Sequence, residues 1–171
     1  QAHAKNNFVE WSVAVAGLVE QPATFTVAAL RSLPSRTQIT RHDCVEGWSA
    51  IGKWTGTPLA NVLASVKPKP EARYVVFHCA DPMQEDGTQR YYESVDLDDA
   101  YHPQTILAYE LNGKPLPVPN GAPVRVRIER QLGYKHAKYI ERIELVASFD
   151  KINGGKGGYW EDRGYQWYAG L

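Results

Sequence analysis

Asn120-Gly121-Ala122-Pro123-Val124-Arg125-Val126-Arg127-Ile128-Glu129 is the stretch on which the fold of this chain turns. Val124, Val126 and Ile128 alternate with Arg125, Arg127 and Glu129, the period of two that a β-strand imposes, so one face is apolar and the other charged. Arg125 and Arg127 therefore point the same way. Two cations on one strand face read either as a solvated surface or as a seat for an anion, and the alternation alone leaves both open.

Strand patterns recur on either side of this stretch. Trp11, Val13 and Val15 alternate with Ser12, Ala14 and Ala16 up to Gly17, Tyr74-Val75-Val76-Phe77 forms the centre of a near-continuous apolar run ending in His78 and Cys79, and a further strand is expected over residues 139–146. Helical signals are shorter. Thr26 precedes an apolar stretch stopped by Pro34, and Thr57-Pro58 reads as a cap followed by proline in the first turn, with Leu59, Val62, Leu63 and Val66 at helical spacing. The start of that helix would bring free N–H groups near the segment around Cys44. Asp96 is expected to cap a third helix that ends before Pro103. Residues 80–90 are polar and hold Pro82 and Gly87, hence a surface loop.

The chain has 171 residues, 19 of them aromatic, with 14 Gly and 11 Pro, a balance that favours strands joined by turns. A single domain over residues 1–171 is expected, of the α+β class, rich in β-structure with a few short helices. Gly154-Gly155-Lys156-Gly157-Gly158 reads as a flexible linker before an aromatic tail, a segment that packs back on its own domain or serves as a docking surface. Lys plus Arg and Asp plus Glu are equal at 19 each, so there is no global field to recruit nucleic acid, and none is expected as a partner. No apolar run is long enough to span a bilayer and the N-terminus carries no basic-then-apolar segment, so a soluble chain is expected, with any signal peptide removed or omitted.

Cys44 lies in Arg41-His42-Asp43-Cys44-Val45-Glu46-Gly47-Trp48-Ser49. A lone thiolate is a soft, strongly donating ligand able to bind a redox metal whose other positions are filled by a cofactor or substrate. Arg41 and His42 beside it would lower the thiol pKa, and Glu46 is placed to handle a proton or to cap the loop. The other reading is a buried core thiol, since free cysteine is among the most buried residue types. With only Cys44 and Cys79 present, a disulfide or a reversible thiol pair between them also stays open.

These segments in order, from Gly17-Leu18-Val19-Glu20-Gln21-Pro22 through Cys44-Val45-Glu46-Gly47-Trp48, Trp54-Thr55-Gly56-Thr57-Pro58-Leu59, Asn112-Gly113-Lys114-Pro115-Leu116-Pro117 and Asn120-Gly121-Ala122-Pro123-Val124-Arg125 to Gly133-Tyr134-Lys135-His136-Ala137-Lys138, resemble the molybdopterin-binding oxidoreductase domain of the sulfite oxidase superfamily. Among its members the short bacterial proteins and the catalytic subunit of the periplasmic protein-methionine-sulfoxide reductase are most alike. The resemblance implies a mixed-sheet, sulfite-oxidase-type fold and a mononuclear molybdenum cofactor with one pterin and no dinucleotide. It implies that Cys44 is the protein ligand to molybdenum, with Glu46 handling protons. Asn120 and Arg125 match positions that hold the pterin and its phosphate, and His136, Ala137 and Lys138 the stretch that closes over the phosphate. Cys79 falls where the methionine-sulfoxide reductase has a threonine near the cofactor.

The implied reaction is two-electron oxygen-atom transfer, with reduction of an S- or N-oxide favoured over sulfite oxidation. The substrate is then a small-molecule or protein-bound oxide. No haem-attachment or flavin motif is present, so an external electron partner is implied, a membrane cytochrome b or a soluble cytochrome, in the periplasm. Relatives carry a longer N-terminal stretch that also contacts the pterin. Residues 1–9, with Asn6 and Asn7, are either a shortened substitute or an unrelated leader. A cofactor-free binding module that keeps the fold, or a thiol-redox module, are the alternatives.

Overall fold

The computed structural model describes residues 6–171, so Asn6 and Asn7 of the expected leader are seen and residues 1–5 lie outside the described residues. One sheet contains β1 (Ser12–Gly17), β2 (Ala23–Thr26), β5 (Tyr74–Pro82), β6 (Arg90–Asp96) and β10 (Ile140–Val146), in the order β2-β1-β10-β5-β6. The other contains β3 (Arg36–Asp43), β4 (Ser49–Pro58), β7 (Ile106–Leu111) and β8 (Lys114–Pro115), in the order β3-β4-β7-β8, with β9 (Arg125–Arg127) also on β7. Among the described residues only β1 and β10 pair in parallel; every other strand pair is antiparallel. Among the described residues three short α-helices join them: α1 (Val27–Ser32), α2 (Leu59–Val66) and α3 (Leu97–Tyr101).

The period-two expectation for β1 holds, with Trp11, Val13 and Val15 buried on one face. Thr26 caps α1 by accepting the Ala29 N–H at 3.1 Å, and Asp96 caps α3 by accepting the Asp99 N–H at 2.8 Å. All four helically spaced residues of α2, Leu59, Val62, Leu63 and Val66, have no exposed surface. At about 1.5–3 kcal/mol for each fully buried aliphatic side chain, this one face supplies much of what docks the helix on the sheet.

The start of α2 differs from the sequence expectation. Thr57 stays in β4, where its buried hydroxyl donates to the Pro34 carbonyl at 3.2 Å, and Pro58 takes the cap position. An extended backbone at Thr57 aims its hydroxyl across the sheet and away from the helix. The Leu59 N–H donates to the Thr105 carbonyl, so this first N–H of the helix is spent away from the Cys44 segment.

Two further expectations change. Arg125 and Arg127 share a face, but that face is turned inward, at 6% and 0% exposure. The glycine run is not a contact-free linker: the Asp162 carboxylate accepts the N–H groups of Gly154 and Lys156, both at 3.0 Å, and the Tyr92 hydroxyl at 2.6 Å. Small residues there allow the backbone to approach a carboxylate that composition cannot reveal. The larger apolar core lies against the first sheet, and a smaller cluster of Trp54, Ile106, Ala108, Leu116 and Ala122 supports the site described next.

Candidate functional site

β3 and β4 form a hairpin with Cys44 at its tip. The Cys44 N–H donates to the Trp48 carbonyl and the Gly47 N–H to the Cys44 carbonyl, each at 2.9 Å, so the backbone of the turn is held independently of the thiol. Cys44 is partly buried and Glu46 exposed. Beside the hairpin opens a cleft of about 510 Å³ whose wall includes His42 and Trp48, which flank Cys44 in sequence, together with Trp54, Asn120, Arg125, Gly133, His136 and Lys138.

Arg127 organises the base of this wall. Its guanidinium grips Glu129 with two hydrogen bonds, Nε to Oε1 at 2.9 Å and Nη2 to Oε2 at 2.8 Å, and Nη1 donates to His42 Nδ1 at 2.6 Å. Because guanidinium only donates, His42 Nδ1 accepts and the ring proton sits on Nε2. That nitrogen faces Gly133, where a Cβ would stand only 2.6 Å away, so a bare Cα is required for the approach. Arg127 and Arg125 both lie over the Trp54 ring, at 4.5 and 5.2 Å from its centroid, an arrangement that lets two buried cations share one aromatic face.

Arg125 Nη1 donates to the Asn120 carbonyl at 3.0 Å and Nη2 to the His136 carbonyl at 3.1 Å, leaving its Nε without a partner. Trp54 Nε1 is likewise buried and unpartnered. His136 donates from Nε2 to the Gln131 carbonyl at 2.9 Å, so its unpartnered Nδ1 is an acceptor. Four residues of the wall thus carry unsatisfied buried atoms, the Arg125 and Trp54 donors, the His136 acceptor and Asp81 Oδ1, which a folded protein rarely leaves unmade without a ligand to meet them.

Burial, with Arg127 and Arg125 adding to it, pushes the His42 pKa down to about 4, and burial holds His136 well below its ordinary value. Burial lowers Lys138, with Arg125 adding to it, and raises the Asp81 carboxyl, another residue of the cleft. A histidine that titrates at 6.5 unfolded and about 4 folded binds more protons unfolded between those values. Stability is therefore greatest above pH 6.5 and falls as the pH drops toward 4. An NMR titration of the His42 ring is expected to show its midpoint near 4, and inorganic phosphate beside the cations should move it upward; a midpoint near 6.5 without phosphate contradicts this electrostatic picture.

The structure thus brings Asn120, Arg125, His136 and Lys138 together next to the Cys44 hairpin. Cys44 and Glu46 flank the cleft without being among its wall residues. Ala137 is buried behind the wall, its N–H spent on the Lys135 carbonyl at 3.1 Å and its carbonyl accepting the Val126 N–H. Cys79 sits in the core of the first sheet at 2% exposure, opposite Ile140, and borders a different cleft with His78, Arg90 and Arg142. Both thiols are free. Burial raises the Cys79 pKa well above its ordinary value, which makes it a poor partner in thiol exchange. Sequence reasoning missed Asp81, the Trp54 indole donor and the hold of Arg127 on His42; the only signal was the Arg125/Arg127 alternation.

The oxidoreductase molybdopterin binding domain family matches residues 2–151. YedZ1 of Azospira oryzae, named for a protein-methionine-sulfoxide reductase subunit, is 44% identical over 156 residues, 91% of this chain and 54% of that protein. The protein-methionine-sulfoxide reductase catalytic subunit MsrP of Xanthomonas campestris is 41% identical over 144 residues, covering 80% of this chain and 45% of the relative. The chain therefore spans about half the length of the curated relatives it matches. Its fold is shared with the sulfane dehydrogenase SoxCD of Paracoccus pantotrophus, with a TM-score of 0.74 and 22% identity over 82% of this chain and 39% of that one. The segments around Cys44 and Asn120–Arg125 fall inside the matched region, and the chain belongs to the oxidoreductase molybdopterin binding domain family.

Proposed function

We propose that this chain holds a mononuclear molybdenum cofactor with a single pterin and reduces an S-oxide, with protein-bound methionine sulfoxide as the substrate class. The observation that carries this reading is the set of unsatisfied donors in the cleft wall, Arg125 Nε and Trp54 Nε1, beside two cations and next to a free thiol at a hairpin tip. An anionic phosphate with polar ring edges is the kind of group that such a wall fits, because charge-assisted hydrogen bonds repay the burial of Arg125. Arg125 and Lys138 would hold the phosphate, Asn120 the pterin, His136 would accept a ring N–H through Nδ1, and Cys44 would be the thiolate ligand.

When bound, the cofactor supplies two-electron oxygen-atom exchange. The chain's own residues do the rest. Trp48 and His42, with ring centroids 5.7 Å apart, wall off the cleft on the hairpin side and hold substrate away from bulk water. Glu46, exposed at the same tip as Cys44, is the carboxylate placed to pass protons from solvent. Reduction of a sulfoxide consumes two electrons and two protons and releases water, so an external electron donor is required, and a cytochrome is the proposed one. By analogy with the relatives the location is the periplasm.

The test is to express the protein in a host that makes the cofactor and to measure metal, pterin and turnover. Roughly one molybdenum per chain and reduction of peptide-bound methionine sulfoxide by a reduced one-electron dye are expected. Protein that stays free of molybdenum under those conditions overturns the reading. Molybdenum without sulfoxide reduction overturns the substrate class alone.

A further inference from the structure

Behind the cleft wall, the Lys135 ammonium lies 2.5 Å from Glu93 Oε1 and 2.6 Å from Glu161 Oε1, and none of the three side chains is more than 1% exposed. The Ser94 N–H also donates to Glu93 Oε1 at 2.8 Å. Oε2 of each glutamate has no hydrogen-bond partner, and the two carboxyl groups meet on the one ammonium. Gly158 is pressed against both: a Cβ there would stand 2.0 Å from Glu161 Oε2 and 2.5 Å from Glu93 Oε1. Around the cluster stand the Trp167 ring, 5.5 Å from the ammonium, the Tyr91 phenol, which donates to the Tyr134 carbonyl, the Tyr92 and Tyr134 phenols and the Cys79 thiol.

The charge count does not close as drawn. Two carboxylates and one ammonium leave a net negative charge, and among the described residues no second cation pairs with either glutamate. In a fully buried site an uncompensated carboxylate is less favourable than a carboxylic acid, and two carboxyl groups on one ammonium satisfy each other through one proton. The same proton gives the orphaned oxygens the partner they lack.

We propose that Glu93, Glu161 and Lys135 hold one proton in common, a carboxylic acid hydrogen-bonded to a carboxylate that is paired with the ammonium, and that this neutral cluster is the clasp that positions the cleft wall. Its three members sit on three separate segments, each within two residues of the cleft. Glu93 follows Tyr91 in β6, Lys135 ends the turn that supplies Gly133 and Tyr134, and Glu161 follows Trp160. The clasp therefore ties β6, the 133–135 turn and the C-terminal segment to one point. The proton itself is independent of any cofactor; only the consequence for cofactor retention rests on the proposed function.

Infrared difference spectroscopy at neutral pH tests the proton. The protein is expected to show a buried carboxylic-acid band that disappears in both Glu93→Gln and Glu161→Gln, since either leaves Lys135 with a single carboxylate. A spectrum with no component that is lost in both variants overturns the shared proton; a component from Asp81 survives in both and disappears only in Asp81→Asn. Hydrogen exchange tests the clasp. Glu161→Ala should speed exchange of the Lys135 and His136 N–H groups several-fold while Glu161→Gln, which mimics the acid, leaves them slow. Equal protection in the two variants overturns the positioning role. Loss of molybdenum from Glu161→Ala but not from Glu161→Gln adds support, whereas a protein free of molybdenum in every form sinks the proposed function and leaves the exchange and infrared results to decide the clasp.

Discussion

Cys44→Ser is expected to fold as the parent does and to carry only traces of molybdenum. The turn that presents residue 44 is closed by backbone hydrogen bonds to Trp48 and Gly47, neither of which involves the sulfur, and the side chain is only partly buried. A surface substitution of this kind shifts stability by about 0.5 kcal/mol or less. What changes is the ligand. Serine has no accessible anion at neutral pH and no soft donor orbital, so the anchor for a redox metal is lost while the anion seat at Arg125 and Lys138 survives. Elemental analysis beside a urea melt reads both halves, and a Cys44→Ser protein that keeps its molybdenum refutes the role given to the thiol.

Arg127→Met is expected to cost about 3–5 kcal/mol, the range for breaking a buried ion pair from one side. Arg127 is fully buried and Glu129 is 6% exposed by side chain, so removing the guanidinium strands a carboxylate whose other hydrogen bond is to the Gln38 amide at 2.9 Å. Against a typical total of about 5–15 kcal/mol that is roughly a fifth of the stability or more. The urea midpoint should fall with little change in slope. Replacing Glu129 as well, with glutamine, should recover much of the loss, because no buried charge then lacks its partner. The single variant should also free His42 from one repelling cation and one hydrogen bond, so its pKa should rise from about 4. If Arg127→Met is neutral and His42 does not shift, this network is not what holds the wall.

The local pieces of this fold are legible in the sequence because each carries its own period or cap. Four apolar residues at helical spacing mark α2, Asp96 marks α3, and the alternation from Trp11 marks β1. Pairing is not legible in that way, since nothing in residues 12–17 names residues 140–146 as the neighbour. The site shows the same division. Cys44 stands out by residue type and its neighbours by resemblance, and the shared direction of Arg125 and Arg127 follows from the strand period. Their burial does not follow, because alternation gives direction and not what covers the face. Lys135 and Glu93 look like ordinary surface charges until three distant segments converge, and the glycine run looks loose until Asp162 meets it.

The parallel pairing of β1 with β10 sets Ala14 opposite Arg142 and Gly17 opposite Leu145. More than a hundred residues must therefore leave the ribosome between one strand and its neighbour, a high contact order that makes folding slow and late. Until residues 140–146 have been made, the β1 edge that they will cover lacks its partner strand, so holding factors that bind extended hydrophobic segments have a long interval in which to act on it.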